Sequence, residues 1–200
     1  MKTERESEDI KFRIVAHKKY QEISKENLDR FEKLHSEMLT LRKKIKEEEP
    51  HFADKDWLKV FDLEYERDKY SVVSIVFAAM CLEAFIYDYA ATATSHSYVK
   101  NYLDKLDLVS KWIVIPRIIT GKEIPRGSKA LQMLSKLVSA RNGLIHFKPK
   151  SSTWDDYFER FEEEQQSKIV EDTRNGYPTI SILMKELRKI DPTIGHELKT

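Results

Sequence analysis

The chain has 200 residues, of which 40% are apolar and 34% charged, with 35 basic against 34 acidic side chains. That is one domain of ordinary size, or one domain with an arm, and enough apolar material for a core. A formal net charge of +1 excludes a global basic field for nucleic acid, so any such contact has to come from a local patch.

The opening "MKTERESEDIKFR" is densely charged and has no apolar h-region, so a cytoplasmic protein is expected rather than a secreted one. The first 48 residues read as one long helix or two. Phe31, Leu34, Met38, Leu41 and Ile45 follow a 3-4-3-4 spacing, with Ile10, Ile14 and Ile23 continuing the stripe less regularly. Such a stripe either packs on the core or makes residues 1–49 a helical arm for dimerisation or partner binding. Pro50 ends it, and residues 50–200 form the main domain.

"ADKDWLKVFDLEYERDKY" predicts an acid-started helix with Trp57, Leu58, Phe61 and Tyr65 at helical spacing. Tyr70 to about Thr92 is expected to be a central helix, apolar nearly all round. Its uncharged part, Tyr70 to Leu82, is about 13 residues, short of the roughly 20 needed to cross a membrane, so no membrane is expected as a partner. Cys81, the only cysteine, lies in this run and reads as a small buried hydrophobe in a reducing compartment. "SYVKNYLDKLDL" adds a short helix. "VSKWIVIPRIITGKEIPRGS" is an apolar stretch broken by Pro116 and closed by a Gly/Pro loop. A helix follows from about Ser128 to Ile145, with Pro149 stopping its continuation. Trp154, Tyr157, Phe158 and Phe161 suggest another, "RNGYP" reads as a turn, and Thr179 to Ile190 is the last helix, ended by "DPTIG". With weak strand signals the fold class is all-α.

No C-x-x-C, H-E-x-x-H or calcium-loop spacing occurs, so neither a metal nor a cofactor is expected. His17, His35, His51, His96 and His196 have no companion at ligand spacing and read as surface residues. Glu159 and Glu162 to Glu164, in "FERFEEEQQ", read as a solvated helix face.

One stretch asks for more. In "LVSARNGLIHFKPK" an arginine, an amide and a histidine fall within six residues, Arg141, Asn142 and His146, where an apolar helix runs out. Together with "LEAFIYDYA" and "LDLVSKWIVIPRIITGK" upstream, this order of segments resembles the HEPN superfamily (higher eukaryotes and prokaryotes nucleotide-binding domains). The likeness covers roughly residues 70–150, and its motif is an arginine, a polar residue, a short spacer and a histidine. It implies an all-α up-and-down helical bundle that dimerises. Many members of the family are metal-independent endoribonucleases, often toxins of toxin–antitoxin pairs or effectors of phage defence. In those, two protomers build one composite RNA-cleaving site. Other members bind nucleotides or assemble complexes without catalysis. The resemblance therefore carries two expectations for this chain: an RNA-cleaving homodimer, with RNA and an antitoxin or other protein as partners, or a non-catalytic binding module that uses its N-terminal arm.

The residue types suit the first expectation. RNA breaks without metal when a 2′-hydroxyl attacks the adjacent phosphate, which needs a group that moves protons near neutral pH and a fixed cation for the phosphorane. Histidine has the fitting pKa, about 6.5. Arginine offers a permanent planar fork to two phosphate oxygens. An amide donates to phosphate or holds another group in place. On a straight helix Asn142 and His146, four apart, share a face, while Arg141 and His146, five apart, diverge by about 140°. Gly143 offers room for distortion, and a twofold dimer offers a second route to bring Arg141 and His146 together. Glu83, costly to bury alone in "AAMCLEAFI", is expected to pair with Arg141 if the two helices pack as the resemblance implies. Lys148, Lys150, Lys122 and Arg126 could extend a basic patch for the RNA backbone. The plainer reading of His146 is a helix C-terminal cap beside Phe147 and Lys148.

Overall fold

The structure is a computed structural model, and it describes residues 15–47, 55–146 and 162–194. The charged opening segment, Pro50, His51, Lys148, Pro149, Lys150, the aromatic run from Trp154 to Phe161 and His196 lie outside the described residues. Those described are helical apart from short connections, with no strand among them: α1 (His17–Glu47), α2 (Lys55–Ala93), α3 (His96–Tyr98), a π-helical turn (Val99–Leu103), α4 (Leu108–Thr120), α5 (Lys129–Ile145) and α6 (Glu162–Ile190). The all-α class read from the sequence is the class of the fold.

Side-chain pairs fix the direction of each helix. Ser24 and Ser74 each donate a hydroxyl to the other's carbonyl at 3.0 Å. The Arg67 guanidinium lies over the Phe31 ring, 5.7 Å from its centroid, and Arg42 meets Glu64 at 3.4 Å. As numbers rise on α1 they fall on α2, so the two form an antiparallel hairpin. Ser71 and Thr173 share a hydroxyl bond at 2.5 Å, and Tyr89 donates to Asp191 at 2.7 Å, so α6 runs parallel to α2. Asn175 donates to the Met133 carbonyl at 2.9 Å and Lys136 pairs with Glu171, so α5 runs antiparallel to α6 and hence to α2.

The main core lies where α2, α4, α5 and α6 meet, built on Leu82, Ile86, Trp112, Leu134, Leu137 and Leu183. Trp112 is fully buried and stacks on Phe85 with ring centroids 5.9 Å apart. Removing an aromatic of that size from water stabilises the fold by roughly 3 kcal/mol. A second, smaller cluster of Met38, Ile45 and Val60 holds the far end of the α1–α2 hairpin. The α1 stripe divides: Phe31, Met38 and Ile45 are buried against neighbouring helices, while Leu34 and Leu41 are half-buried.

Several local expectations are corrected. The two segments on either side of Tyr70 are one 39-residue helix, α2. The charged "EYERDK" joint is made of good helix formers, and Arg67 turns inward on the same face as Val60, Ser71 and Ser74. Pro116 does not break α4. The lost backbone bond and the ring clash, about 3 kcal/mol in an isolated helix, are outweighed by Trp112 and Ile115, buried in the turn before it, and by Pro116 itself, which is buried. Gly121, at φ 74°, is the real stop, its N–H donating to the Arg117 carbonyl. "RNGYP" is not a turn but the middle of α6. Gly176 lets α6 approach α2 closely: a Cβ there would sit 3.7 Å from the Ile75 backbone and the Ala78 methyl. Asn175 and Thr179 spend their polar groups on the Met133 and Asn175 carbonyls instead of nucleating a turn. Asp191 closes α6, accepting from the Thr193 N–H and hydroxyl as well as from Tyr89.

Two histidines are not surface residues. His17 is buried and meets the Phe85 ring edge-on, with centroids 5.4 Å apart. His35 is half-buried beside Arg67. Cys81 is buried as expected, and desolvation pushes its thiol up to about 12, which keeps it protonated and unreactive. α2 is long and apolar enough to cross a membrane, and half of its most apolar window is packed inside the bundle. Core helices of soluble proteins have the same length and composition.

Candidate functional site at the end of α5

α5 starts where the sequence says it should. The Ser128 hydroxyl accepts from the Leu131 N–H, satisfying one of the first-turn donors. Leu134, Leu137 and Ala140 then face the core, and Leu144 is packed at its edge. The other side of the last turns faces solvent. Arg141 is half-buried, while Asn142, Gly143, Ile145 and His146 are exposed.

Within this end the expected residues come together in part. Arg141 donates from Nη1 to the Asn142 Oδ1 at 3.0 Å, so the amide oxygen holds the guanidinium in the open. The His146 N–H donates to the Asn142 carbonyl at 2.9 Å and closes the last turn, with His146 itself at φ −106° and ψ 35°. His146 is thus the C-terminal cap of α5. Its ring takes no hydrogen bond from any described residue, and it lies one turn from Asn142 on the same face. Gly143 does not distort the helix: α5 is regular through it, and a Cβ there would meet nothing within 4 Å.

Glu83 is not the partner of Arg141. Its carboxylate pairs with the Lys111 ammonium of α4, which is nearly buried and also reaches Asp104 at 3.3 Å. Helix direction explains this. Leu137 sits level with Ile75 and Ala78, since all three surround the same point on Gly176. Antiparallel to α2, α5 reaches Arg141 near the level of residues 71–74, about 15 Å along the axis from Glu83. Lys122 and Arg126 are also placed apart from the motif. They lie in the α4–α5 loop, before the start of α5, while the motif ends it, about 25 Å away. Arg126 approaches Glu123 at 3.8 Å, as Arg117 does at 3.0 Å.

A second polar cluster escaped the sequence reading. Arg67 is fully buried, donating to Asp68 from Nε at 2.8 Å and from Nη2 at 2.5 Å. Glu64 lies 3.6 Å from it, and Nη1 meets His35 Nδ1 and the Met38 sulfur at 3.4 Å. Burial and then the Arg67 and Arg174 charges hold the His35 imidazole below its ordinary pKa, so Nδ1 accepts from Arg67. Arg174 of α6 donates bidentately to Glu32 at 2.7 and 2.9 Å. The signal for Arg67 was its place on the buried face of α2, a register position that a charge occupies only with partners. A cavity of about 260 Å³ beside it is lined by His35, Met38, Leu39, Arg42, Ser167 and Val170. A larger groove of about 770 Å³ runs between α1 and α2 over Leu34, Leu41 and Leu63. No group of three metal-ligating side chains occurs among the described residues.

Searches against protein-family models, curated proteins and solved structures return no match. The described residues form an all-helical bundle whose late helix ends in an arginine–amide pair and, one turn beyond Asn142, a histidine; with α5 regular through Gly143, Arg141 and His146 stay on different faces of it.

Proposed function

We propose that the chain is a HEPN-like, metal-independent endoribonuclease working as a cytoplasmic homodimer, as toxins and defence effectors of that kind do. The observation that carries the reading is the exposed end of α5, where Asn142 fixes the Arg141 guanidinium and the His146 ring is free to meet a substrate. A scissile RNA phosphate docks on Arg141, which stays protonated and neutralises the phosphorane as it forms. His146 takes the proton from the 2′-hydroxyl or delivers one to the leaving 5′-oxygen. Asn142 orients Arg141. No protein nucleophile is needed, because the RNA supplies it. Purified protein should cleave mixed RNA in chelator, and His146→Ala should abolish cleavage. Activity that survives His146→Ala, or none in the wild type, ends this reading.

The groove between α1 and α2 favours a second reading, a non-catalytic assembly module whose helical hairpin takes a partner helix. Deleting α1 would expose the core around Phe31 and Met38, so a groove substitution is the cleaner test. Leu41→Glu should then abolish partner capture, while Arg141→Ala leaves it intact.

A further inference from the structure

The groove between α1 and α2 is shaped for one more helix. Leu34, Glu37, Leu41 and Lys44 of α1 face it, and so do Lys59, Asp62, Leu63 and Glu66 of α2. On each helix this is the 3- and 4-residue recurrence of a packing face, and two such ridges leave a furrow that a third helix fits. The three leucines make the floor and are half-buried. α6 lies on the other side of the hairpin, where Arg174 meets Glu32 and Thr173 meets Ser71. Among the described residues nothing fills the furrow, whose volume is about 770 Å³.

The rims indicate what kind of helix belongs there. At one end Lys59 donates to Asp56 at 2.9 Å, and Lys59 and then Lys44 hold the Asp56 carboxyl below its ordinary pKa, so both cations are engaged. At the other end Glu66 is paired with Lys69 at 2.6 Å. Two rim charges remain. Glu37 on α1 and Asp62 on α2 are exposed, and neither has a hydrogen bond or ion pair with any described residue. They stand on opposite rims with the leucine floor between them. The register set by the Arg42–Glu64 and His35–Arg67 contacts brings them within about one to two turns of each other along the axis.

Two uncommitted carboxylates repel a phosphate backbone, so the groove does not extend the Arg141 site. An apolar floor between them is the complement of a helix that has an apolar stripe and a cation on each flank. A net charge of +1 gives the chain no general pull on such a helix, so the attraction is local. We propose that the groove seats a cationic amphipathic helix of another protein, with lysine or arginine on one flank of its apolar stripe meeting Glu37 and on the other flank meeting Asp62. This rests on the assembly-module reading above, and it names the chemistry of the partner that reading requires.

Two fluorescein-labelled peptides of about 18 residues test it. Both carry a leucine stripe on an alanine background, and they differ in having lysine or glutamate on both flanks. Anisotropy with the full chain at about 0.15 M salt, where long-range attraction is screened, should show the lysine peptide bound about tenfold more tightly. Glu37→Lys with Asp62→Lys, both at exposed positions, should reverse that preference. Glu26→Lys with Glu171→Lys makes the same change in net charge away from the groove and should leave it. Leu41→Glu should weaken both peptides about a hundredfold, with helicity checked by circular dichroism. Equal binding of the two peptides, or tighter binding of the glutamate peptide, overturns the inference and leaves a helix-binding groove standing. So does a control pair that shifts the preference as far as the groove pair, because the attraction is then general. If neither peptide binds, or the lysine peptide binds without regard to Leu41→Glu, the inference and the assembly reading both end. A wild type that self-associates in sedimentation and becomes monomeric on Leu41→Glu has a second copy in its groove, which also overturns the inference.

Discussion

Arg67 and Arg141 carry the same side chain to opposite ends. Arg67 is wholly buried, with its guanidinium divided among Asp68, Glu64, His35 and the Phe31 ring. Arg141 sits at an open helix end with one amide oxygen as its partner among the described residues. A buried cation must be saturated by its own protein, or burying it costs several kcal/mol. An arginine with unused donors facing water costs the fold little and keeps those donors for a ligand. The first ties helices together, and the second is available.

The sharpest way to break the comparison is to truncate both. Arg67→Ala leaves a cavity and removes the partner of Asp68, while Glu64 keeps Arg42, and should cost about 3–5 kcal/mol in a denaturant titration. The next effect belongs to α6, two to three turns further along α2. Gly176→Leu forces side-chain atoms beyond a Cβ that already sits at contact distance from Ile75, and should cost about 1–3 kcal/mol. Gly176→Ala places only that ordinary contact and should instead gain up to about 1 kcal/mol from helix propensity. If both substitutions are equally harmful, the α2–α6 approach has been misread.

Smaller again is the contribution of Glu83. It is bonded to Lys111 and not to Arg141, so Glu83→Gln should lower stability by about 1 kcal/mol and leave RNA cleavage unchanged. A loss of cleavage without loss of stability would return Glu83 to the site. At the low end, Arg141→Ala should shift stability by no more than about 0.5 kcal/mol while removing cleavage.

The Arg67 junction also predicts a pH dependence. His35 titrates below its unfolded value of 6.5, first because it is desolvated and then because Arg67 and Arg174 repel its charged form; Glu32, on α1, opposes them. Above pH 6.5 its contribution to stability is complete. As pH falls below that value the unfolded chain takes up the proton more readily, so stability declines until the folded imidazole titrates as well. Denaturation midpoints between pH 7.5 and 5 should fall, and His35→Gln should flatten that slope.

Much of this was legible in the residues. Helical periodicity marked the α1 stripe, the apolar half of α2 and the span of α5 from about Ser128 to Ile145. Cys81 declared its burial by its neighbours. The motif at Arg141, Asn142 and His146 was visible as a short polar set at a helix end, and the structure puts it in the open. What stayed hidden required a third dimension. Asn175, Gly176 and Pro178 look like a turn until α2 and α5 supply the partners that keep them helical. Arg67 looks like one charge among several until α1 closes over it. The Glu83–Arg141 pair failed because the expectation joined two helices without their direction, and an antiparallel α5 carries Arg141 away from Glu83.

The last turn of α5 is closed by the N–H of His146 on the carbonyl of Asn142, and the same two residues are two of the three in the candidate site. Terminal turns fray at almost no free-energy cost. Integrity of the site and closure of that turn are therefore one equilibrium, and whatever binds there gains affinity only by first quieting the end of the helix. Amide exchange at His146 should slow when RNA is bound, before any other amide of the bundle responds.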